Sequence, residues 1–389
     1  MASTAADTTT SPVEMTSPKL NGVAKNQRLP KSPEQLLKEK RRRICVFSTK
    51  GYDRTFLTAA LKALPESDKM ELIFHKCALD IDSADLTKGS GAVCVFVNDN
   101  VGKDVVQKLH DNGVEAILLR CAGFNNVCLT QAETCGMFVA NVPSYSPEAV
   151  AEFALSLLQT LNRNTHRAYN RVREGNFNLE GLLGRTINGK TVGVIGTGRI
   201  GVAFARIMSG FGCKILAYDP FQSSEFEKYG EYLTLEELLP QCDFVSLHCP
   251  LMDSTRQIIN KNTLKLMKRG AMLVNTSRGA LIDTDQVIKS LKDRTLGGLA
   301  LDVYEGEGEL FYNDHSDDII QDDQLMRLMT FPNVIVCGHQ AFFTEEALGE
   351  IADATLENAG DYVKGMPCPN SLVRNKHLLV RRDSKPIRI

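Results

Sequence analysis

The sequence contains none of the features that would place it outside the ordinary globular proteins. Across 389 residues, no apolar run approaches the roughly 20 residues that a membrane-spanning helix requires. The 45 lysines and arginines almost balance the 47 aspartates and glutamates, and a net charge of −2 gives no argument for a nucleic-acid or membrane partner. What remains is a chain long enough for two domains, each with a core of its own.

Cysteine is present, but its spacing lacks the patterns of a disulfide framework or a zinc site. None of the eleven cysteines forms a Cys-x-x-Cys pair, and most sit in apolar runs such as residues 92–97. Cysteines placed in this way are typical of small core side chains in a reducing compartment. We therefore expect neither disulfides nor a structural metal ion.

Residues 1–43 are rich in Ser, Thr, Pro and Lys and poor in large apolar residues, which predicts a disordered extension. They hold no apolar stretch of the kind that a secretory signal needs. Residues 1–27 lack arginine and carry Asp7 and Glu14, which argues against a mitochondrial presequence without excluding it. We expect a cytoplasmic protein, in which the basic run 38–43 is a solvated segment rather than a localisation patch. The basic tail, residues 375–389, is expected to be loose.

From residue 44 onward, apolar strand-like runs alternate with helical stretches. Strands are predicted at 44–47, 71–75, 92–97 and 116–120, and helices at 55–64 and 101–112. This alternation is typical of an open parallel sheet, in which ligands collect where strands end. Ala122 and Gly123 follow such a strand end, so they are candidates for backbone contacts to a substrate; a plain turn is the alternative. A long helix is predicted to begin at Pro147, with Ser146 as its cap.

The stretch 192–201 joins an apolar strand to a glycine-rich turn and a helix. Gly196, Gly198 and Gly201 have the Gly-x-Gly-x-x-Gly spacing. In this pattern the first glycine makes a tight turn, the second lets the backbone approach a pyrophosphate, and the third lets helix and strand pack closely. The N-terminus of the helix offers unpaired N–H groups to the phosphates. The stretch predicts a dinucleotide site; a glycine-rich turn without a ligand is the alternative.

An acidic residue should follow such a fingerprint, and Asp219 stands at the end of the next predicted strand, 213–218. Its carboxylate would accept hydrogen bonds from both ribose hydroxyls, and its charge would repel a 2′-phosphate. Residues 220–222 offer no Arg or Lys to hold that phosphate. The pattern favours NAD over NADP.

Three later strands end beside side chains of catalytic type, namely Arg278, Glu307 and His339. Because strand ends at one edge of a parallel sheet converge, we expect the three to share a cleft. Arg binds a carboxylate with a planar fork, and His can pass a proton to a carbonyl oxygen while a neighbouring Glu holds the imidazole protonated. Taken singly, each has a structural explanation as an ion-pair residue, a solvated acid or a core histidine. Together they favour a catalytic site.

Four stretches resemble the D-isomer-specific 2-hydroxyacid dehydrogenases: 196–201, 274–279, 302–307 and 338–342. Longer runs at 120–127, 145–152, 166–171 and 318–323 are similar to the fermentative D-lactate dehydrogenases of that family. The resemblance implies an α/β fold of two doubly wound parallel-sheet domains, Rossmann-like or flavodoxin-like, with a cleft between them. The substrate domain would comprise residues 44–146 and 339–374, and the NAD-binding Rossmann domain residues 147–338.

The resemblance also assigns roles to single residues. Arg278 would bind the substrate carboxylate, His339 would be the acid/base, and Glu307 rather than Glu305 would pair with it. The cofactor contacts that it implies are Gly196, Thr197, Gly198, Arg199, Ile200, Gly201, Asp219, His248, Cys249, Pro250, Thr255, Thr276, Ser277, Arg278 and Asp302. The substrate contacts that it implies are Ala122, Gly123, Tyr145, Arg278 and Phe343, and it implies no metal ion.

Two functions stay open at this point. The resemblance implies an NAD-dependent D-lactate dehydrogenase that acts reversibly on pyruvate with NADH, with a wider 2-hydroxyacid specificity as the main rival. The second function is that of an NAD-sensing binding protein, because the fold also occurs in a transcriptional corepressor that keeps the same three residues. The family is usually dimeric or tetrameric, so a homo-oligomer joined largely through the nucleotide domain is expected.

Overall fold

The computed structural model describes residues 43–373, apart from the side chain of Glu309, and their strands form two separate parallel sheets. The strands of the first sheet are Arg43–Val46 (β1), Glu71–Phe74 (β2), Ala92–Val95 (β3), Ala116–Leu119 (β4) and Phe138–Ala140 (β5). Those of the second sheet are Thr191–Ile195 (β6), Lys214–Tyr218 (β7), Glu231–Tyr232 (β8), Phe244–Leu247 (β9), Ala271–Asn275 (β10), Leu296–Leu301 (β11) and Val334–Val336 (β12). The predictions of a disordered extension and a loose basic tail fall outside the described residues, apart from Arg43.

The helices lie between the strands along most of the chain. In chain order they are Gly51–Ala63 (α1), Lys103–Asp111 (α2), Leu129–Thr134 (α3), Pro147–Arg163 (α4), Thr165–Arg173 (α5), Arg199–Gly210 (α6), Leu235–Leu238 (α7), Lys261–Leu266 (α8), Thr284–Lys292 (α9), Glu307–Leu310 (α10), Asp323–Met329 (α11) and Glu345–Lys364 (α12). Short 3₁₀ turns complete several of the connections.

The first sheet has the strand order β2-β1-β3-β4-β5, and every neighbouring pair is parallel. Strands β3, β4 and β5 are apolar along their whole length because helices cover both faces of the sheet. In β1, Ile44 and Val46 pack into the core on one face, while Cys45 and the adjoining Phe47 pack into the core on the other. This alternation follows from the two-residue period of a strand.

The second sheet has the order β12-β11-β10-β9-β6-β7-β8 and is also parallel throughout. The chain enters it at β6, adds β7 and β8 on one side, and then builds the other four strands outward from β9. The strand order therefore reverses between β6 and β9. The crevice beyond the carboxyl ends of the strands at such a point is where open α/β sheets bind ligands.

Two long helices connect the sheets. Helix α4 leaves the first sheet and packs Leu157 and Leu158 against Val192 and Val194 of the second. Helix α12 returns, and its buried side chains, among them Ile351, join the core of the first sheet. The predicted fold class of two doubly wound parallel-sheet units is confirmed, while the exact domain boundaries stay a prediction.

The predicted cap of α4 was wrong. Ser146 stands at the N-cap of α4, but its side chain accepts no capping hydrogen bond. Its own backbone N–H instead donates to the Glu350 carboxylate of α12 at 2.8 Å. Pro147 does occupy the first turn. The fixed backbone angle of proline suits that position, and its missing N–H is not needed there.

Candidate active site

The glycine-rich turn has the shape that close packing demands. Gly196 has a φ of +96°, in the left-handed region that favours glycine, and a Cβ added there would overlap the backbone of Cys249. A Cβ on Gly201 would overlap the carbonyl oxygen of Gly196. Gly198 is the N-cap of α6, so no side chain caps the first-turn N–H groups of Arg199 and Ile200. These groups are therefore available to an anion.

Asp219 ends β7 beside this turn. One carboxylate oxygen accepts hydrogen bonds from the Thr197 N–H at 2.7 Å and from the Thr197 hydroxyl at 3.1 Å. The other oxygen accepts from the Phe221 N–H at 2.8 Å. The Tyr232 hydroxyl lies 2.8 Å from the Thr197 hydroxyl and also accepts from the Ser223 N–H. The acid is thus fixed against the turn, at the end of β7 where a ribose would lie.

The segment after β9 forms the opposite wall of the crevice. The His248 ring is buried against Phe204 at a centroid distance of 5.0 Å, and its Nε2 lies 2.9 Å from the Ser246 hydroxyl. Burial lowers the pKa of His248 to about 3, so the ring is neutral. The structure therefore places this side chain in the core behind the turn, and only the backbone of His248 approaches Gly196.

The remaining residues of this wall hold one another's backbone. The Ser277 hydroxyl donates to the Cys249 carbonyl at 2.6 Å, and the Thr255 hydroxyl donates to the Pro250 carbonyl at 2.6 Å. The Thr276 hydroxyl is buried and has no hydrogen-bond partner among residues 43–373. A buried hydroxyl without a partner is unfavourable, and a bound polar ligand would satisfy it.

Arg278 follows β10 and reaches across to the first sheet. A Cβ built on Gly123 would lie 2.8 Å from Nη2 of Arg278, so the guanidinium occupies the space that this glycine leaves. Its Nη1 donates to the Ser277 carbonyl at 2.7 Å, and the Asn275 amide donates to the Arg278 carbonyl at 2.8 Å. Within the part of the chain that the structure describes, no carboxylate lies at ion-pair distance. The guanidinium is thus positioned and free to bind an anion.

Glu307 and His339 form a hydrogen-bonded pair. His339 Nδ1 lies 2.9 Å from Oε1 of Glu307, and Oε2 of the same carboxylate accepts from the Tyr304 N–H at 2.9 Å. Glu305 instead forms an ion pair with Arg256 at 3.5 Å. With Nδ1 occupied, Nε2 of His339 has no hydrogen-bond partner among the side chains that the structure describes, so it is open to a ligand.

Asp302 holds the turn that carries His339. Its side chain is fully buried, and its two oxygens accept the N–H groups of Gln340 and Ala341 at 2.8 and 2.9 Å. Its carbonyl accepts the His339 N–H at 2.8 Å. Burial raises the pKa of the Asp302 carboxyl, while His339 and the two N–H groups act in the opposite direction. Both carboxylate oxygens already have protein partners, so the cofactor contact predicted for Asp302 stays a prediction.

A small cleft lies between the two sheets. It is lined by Ala122, Ser144, Tyr145, Pro147, Arg199 and Ile200. The Arg199 guanidinium donates to the Ser144 hydroxyl across this cleft at 2.8 Å. Burial raises the pKa of Tyr145 to about 12, and the Arg278 charge acts against that rise. Residues that follow β5 of the first sheet and residues at the start of α6 therefore face each other here.

Phe343, predicted as a substrate contact, lies at the edge of this region. Its side chain is 50% exposed and packs edge-on against Tyr52 at a centroid distance of 4.8 Å. The preceding Phe342 is buried and lies 6.4 Å from the His339 ring between centroids. Of the two, Phe342 is nearer to the Glu307–His339 pair, and a substrate role for Phe343 stays a prediction.

Sequence reasoning missed two residues that shape the site. Asn141 is buried, and its amide donates to the Ala122 carbonyl at 2.7 Å. Because the two sides of a trans peptide point in opposite directions, this bond turns the Gly123 N–H away from Asn141. Tyr312 donates from its hydroxyl to the His339 carbonyl at 3.3 Å. A polar residue directly after a buried strand was the available signal for Asn141, whereas Tyr312 left no signal in its loop.

A dinucleotide turn, an unpaired guanidinium and a carboxylate-bound imidazole at one crevice are the parts of an NAD-dependent oxidoreductase. The family model of the D-isomer specific 2-hydroxyacid dehydrogenase, NAD binding domain, matches residues 155–341. The chain is 62% identical to 2-hydroxyacid dehydrogenase A of Aspergillus oryzae, over 89% of this chain and 100% of that protein. It is 61% identical to D-lactate dehydrogenase kk1H of Curvularia clavata, over 88% and 98% of the two chains.

A solved structure agrees with these relatives. The apo-structure of D-lactate dehydrogenase from Escherichia coli superposes with a TM-score of 0.78 at 45% identity, and the match covers 85% of this chain and 100% of that one. The chain belongs to the D-isomer specific 2-hydroxyacid dehydrogenase family. It is an oxidoreductase with an NAD-binding domain, and the corepressor-like hypothesis is not favoured.

The residues present fit the cofactor. The glycine turn leaves space that a Cβ would fill, the first turn of α6 is uncapped, and the Thr276 hydroxyl is buried without a partner among the described residues. Among the helices of residues 43–373, none is long and apolar enough to cross a membrane.

Proposed function

We propose that the chain is an NAD-dependent D-lactate dehydrogenase that interconverts pyruvate and D-lactate. The observation that carries the proposal is the position of Arg278. Arg278 follows a strand of the second sheet, as the hydrogen-bonded Glu307 and His339 do, and its unpaired guanidinium lies against Gly123 of the first sheet. A small acid with a carboxylate next to a carbonyl needs these groups, one for each end of the molecule.

Arg278 would hold the substrate carboxylate through two parallel N–H bonds, which fixes the plane of the 2-oxo acid. The Gly123 N–H, directed by the Asn141 bond to Ala122, would add a backbone donor beside it. Holding the substrate in this way places the ketone carbon in one orientation, and a fixed face of the ketone gives one enantiomer of the product.

His339 would donate its proton from Nε2 to the ketone oxygen in the reductive direction and take it back in the oxidative direction. Glu307 on Nδ1 fixes the ring and stabilises the imidazolium that must be present before the transfer. When bound, NADH would supply the hydride for the carbonyl carbon. The two events together convert the ketone to a hydroxyl, with one hydride and one proton consumed.

The cofactor would lie along the predicted contacts of the second sheet. Gly196, Gly198 and the N-terminus of α6 would face the pyrophosphate, and Arg199 would add a positive charge. Asp219 would bind the adenosine ribose and exclude a 2′-phosphate, which supports a preference for NAD over NADP. Cleft closure between the proposed domains, 44–146 with 339–374 and 147–338, would exclude water during transfer.

The names of the relatives leave the breadth of the substrate set open, because one is a 2-hydroxyacid dehydrogenase and another a D-lactate dehydrogenase. The aromatic surroundings of His339, which include Phe342, suit a small apolar substrate side chain. The test is kcat/KM with NADH for pyruvate, 2-oxobutyrate and phenylpyruvate, with enantiomer analysis of the product. Pyruvate is expected to give the highest value and D-lactate as product; a better phenylpyruvate rate or L-lactate would overturn the assignment.

We also propose that the protein is a homo-oligomer. The segment 165–186, which begins with α5, projects apolar side chains to solvent: Tyr169, Val172, Phe177, Leu179 and Leu183, the last 95% exposed. Arg171 fixes the conformation of this segment, because it donates hydrogen bonds to the Glu180 and Asn178 carbonyls at 2.8 and 3.2 Å. A second copy of the chain would cover this patch.

Light scattering tests the oligomer directly. Leu179→Asp with Leu183→Asp is expected to shift the mass toward the monomer, whereas Leu86→Asp, an exposed leucine of the first sheet's lobe, should leave it unchanged. A monomeric wild type would reject the proposal.

A cytoplasmic location is also proposed. It is tested by tagging the full chain at its C-terminus and imaging the tagged protein in cells.

A further inference from the structure

Tyr312 lies two residues beyond α10, the short helix that begins with Glu307. It is half-buried, and its side chain packs against the cores of both sheets. The motifs that led to the catalytic candidates do not include it. Its position nevertheless puts it beside the residue on which proton transfer depends.

Two contacts join Tyr312 to His339. The hydroxyl donates to the His339 carbonyl at 3.3 Å, and the two rings lie 5.9 Å apart between centroids at a tilt of 35°. Burial, and after it the charge of Glu307, raises the pKa of the Tyr312 phenol above its ordinary value. The hydroxyl therefore stays protonated at neutral pH and acts as a donor.

The His339 backbone needs such support. Its φ of +54° lies in the left-handed region, which is unfavourable for any residue with a Cβ and persists only where the surroundings enforce it. Asp302 enforces it from one side, because its carbonyl accepts the His339 N–H and its carboxylate accepts the next two N–H groups. The carbonyl of His339 points the other way, and Tyr312 is the group that meets it.

We propose that Tyr312 is a positioning residue for His339, an inference that rests on the proposed dehydrogenase function. A single segment, residues 307–312, holds His339 at two points: the Glu307 carboxylate binds Nδ1 of the ring, and the Tyr312 hydroxyl binds the backbone carbonyl. Two points fix the ring plane and the backbone together. Nε2 then faces the substrate in one orientation.

The Tyr312 ring is itself held in place. It packs edge-on against Phe96 at a centroid distance of 5.1 Å, and the Arg120 guanidinium lies 4.9 Å from the centre of that phenylalanine ring. Arg120 is buried and paired with Asp53 at 2.9 Å. The contact between Tyr312 and Phe96 joins the loop after α10 to the residue that follows β3 of the first sheet. Tyr312 thus links the position of His339 to the first sheet, in which β4 leads to Gly123.

Tyr312→Phe tests the hydroxyl while keeping the ring. We expect kcat for pyruvate to fall about tenfold, the effect of one lost hydrogen bond, while KM and the NADH dissociation constant stay within about twofold. Tyr362→Phe is the matched control, because it also removes a hydroxyl that donates to a backbone carbonyl, that of Gly91, at 3.1 Å. Its kcat should equal that of the wild type. An unchanged kcat in Tyr312→Phe, with or without a lower Tm, would overturn the proposal.

Hydrogen–deuterium exchange provides a readout that does not depend on turnover. In Tyr312→Phe, the peptide spanning residues 337–343 should exchange faster than in the wild type, because the amides bound to Asp302 are released more often. The peptide spanning 92–97 should not change, because the ring contact to Phe96 remains. Equal exchange at 337–343 refutes the role of Tyr312. If the wild type turns over no 2-oxo acid, the proposed function fails, and the exchange result still decides this inference.

Discussion

Glu307 and His339 are 32 residues apart in the chain, yet the carboxylate and the imidazole meet at 2.9 Å. The contact depends on β12, which runs beside β11 and brings the end of one strand next to the end of the other. Gly279 lets the turn that carries Arg278 lie close to the segment that carries Glu307. A Cβ on Gly279 would overlap the backbone of Tyr304 and force the two apart. The site is thus a consequence of strand order together with one glycine.

Glu307→Gln should lower kcat by about 100-fold, because an amide cannot stabilise the imidazolium as a carboxylate does. Pyruvate KM and NADH affinity should change little, since neither the guanidinium of Arg278 nor the glycine turn is altered. Steady-state kinetics and NADH fluorescence titration measure both. His339→Ala is expected to lose more, on the order of 10³-fold, with NADH binding near intact.

Glu305→Gln is the matched control for this prediction, because Glu305 is the neighbouring acid and pairs with Arg256 at the surface. Its kcat should be close to that of the wild type. A larger loss in Glu305→Gln than in Glu307→Gln would show that the wrong acid has been assigned. Loss of NADH binding in His339→Ala would contradict the role given to that residue.

Gly123→Ala should raise the KM for pyruvate about tenfold, with a small change in Tm. The new Cβ would lie 2.8 Å from Nη2 of Arg278, and the end of a flexible side chain can move aside without unfolding the protein. The shifted guanidinium would lose part of its bidentate geometry, and one charged hydrogen bond is worth roughly a factor of ten in affinity. Steady-state kinetics for pyruvate and a thermal melt measure the two effects.

Gly349→Ala in α12 provides the comparison, since its added Cβ has no atom within 4 Å and the position is helical. It should leave KM unchanged and raise Tm slightly, because alanine favours a helix over glycine. A KM for Gly123→Ala equal to the wild-type value would mean that the guanidinium does not bind the carboxylate in the place inferred.

Asp219→Ala should weaken the discrimination against NADPH. The variant removes the charge that would repel a 2′-phosphate, and it also frees the Thr197 and Phe221 N–H groups that the carboxylate now accepts. NADH should bind more weakly, and NADPH should gain relative to it. The ratio of kcat/KM for the two cofactors is the measurement, with Glu231→Ala, an exposed acid of β8, as control. An unchanged ratio would show that another group selects the cofactor.

The sheets could be predicted from sequence because strands covered on both faces are continuous apolar runs, as in residues 92–97. Strand β5 was missed, since Phe138–Ala140 has three residues and too few to show a period. Helix α1 begins at Gly51 rather than at Thr55, because its first turn carries the polar Asp53 inward to Arg120. Neither the short strand nor the buried ion pair leaves a local pattern.

At the candidate site, too, only part of the structure could be predicted from sequence. Arg278, Glu307 and His339 follow strands, so the fold class alone suggested that they converge. Asn141 acts through one hydrogen bond to the backbone of Ala122, which is 19 residues away. Tyr312 acts through one hydrogen bond to the backbone of His339, which is 27 residues away. Contacts of that kind depend on the paths of two loops, and loop paths follow from tertiary packing rather than from local periodicity.

His248 should make the stability of the protein depend on pH. Burial lowers its pKa in the folded protein to about 3, whereas an unfolded chain binds that proton near pH 6.5. As pH falls below about 6.5, the unfolded state gains a proton that the folded state does not bind, so the free energy of unfolding decreases until about pH 3. His248→Gln removes this part of the pH dependence.

Urea titrations at pH 7 and pH 5 measure this pH dependence as the change in the free energy of unfolding between the two pH values. From pH 7 to pH 5 the wild type should lose about 2 kcal/mol more than His248→Gln, whatever the variant's stability at pH 7. His110→Gln, at an exposed histidine of α2, should lose as much as the wild type. Equal losses in the wild type and His248→Gln would mean that the ring is protonated in the folded state at pH 5, and that water reaches the core behind the glycine turn.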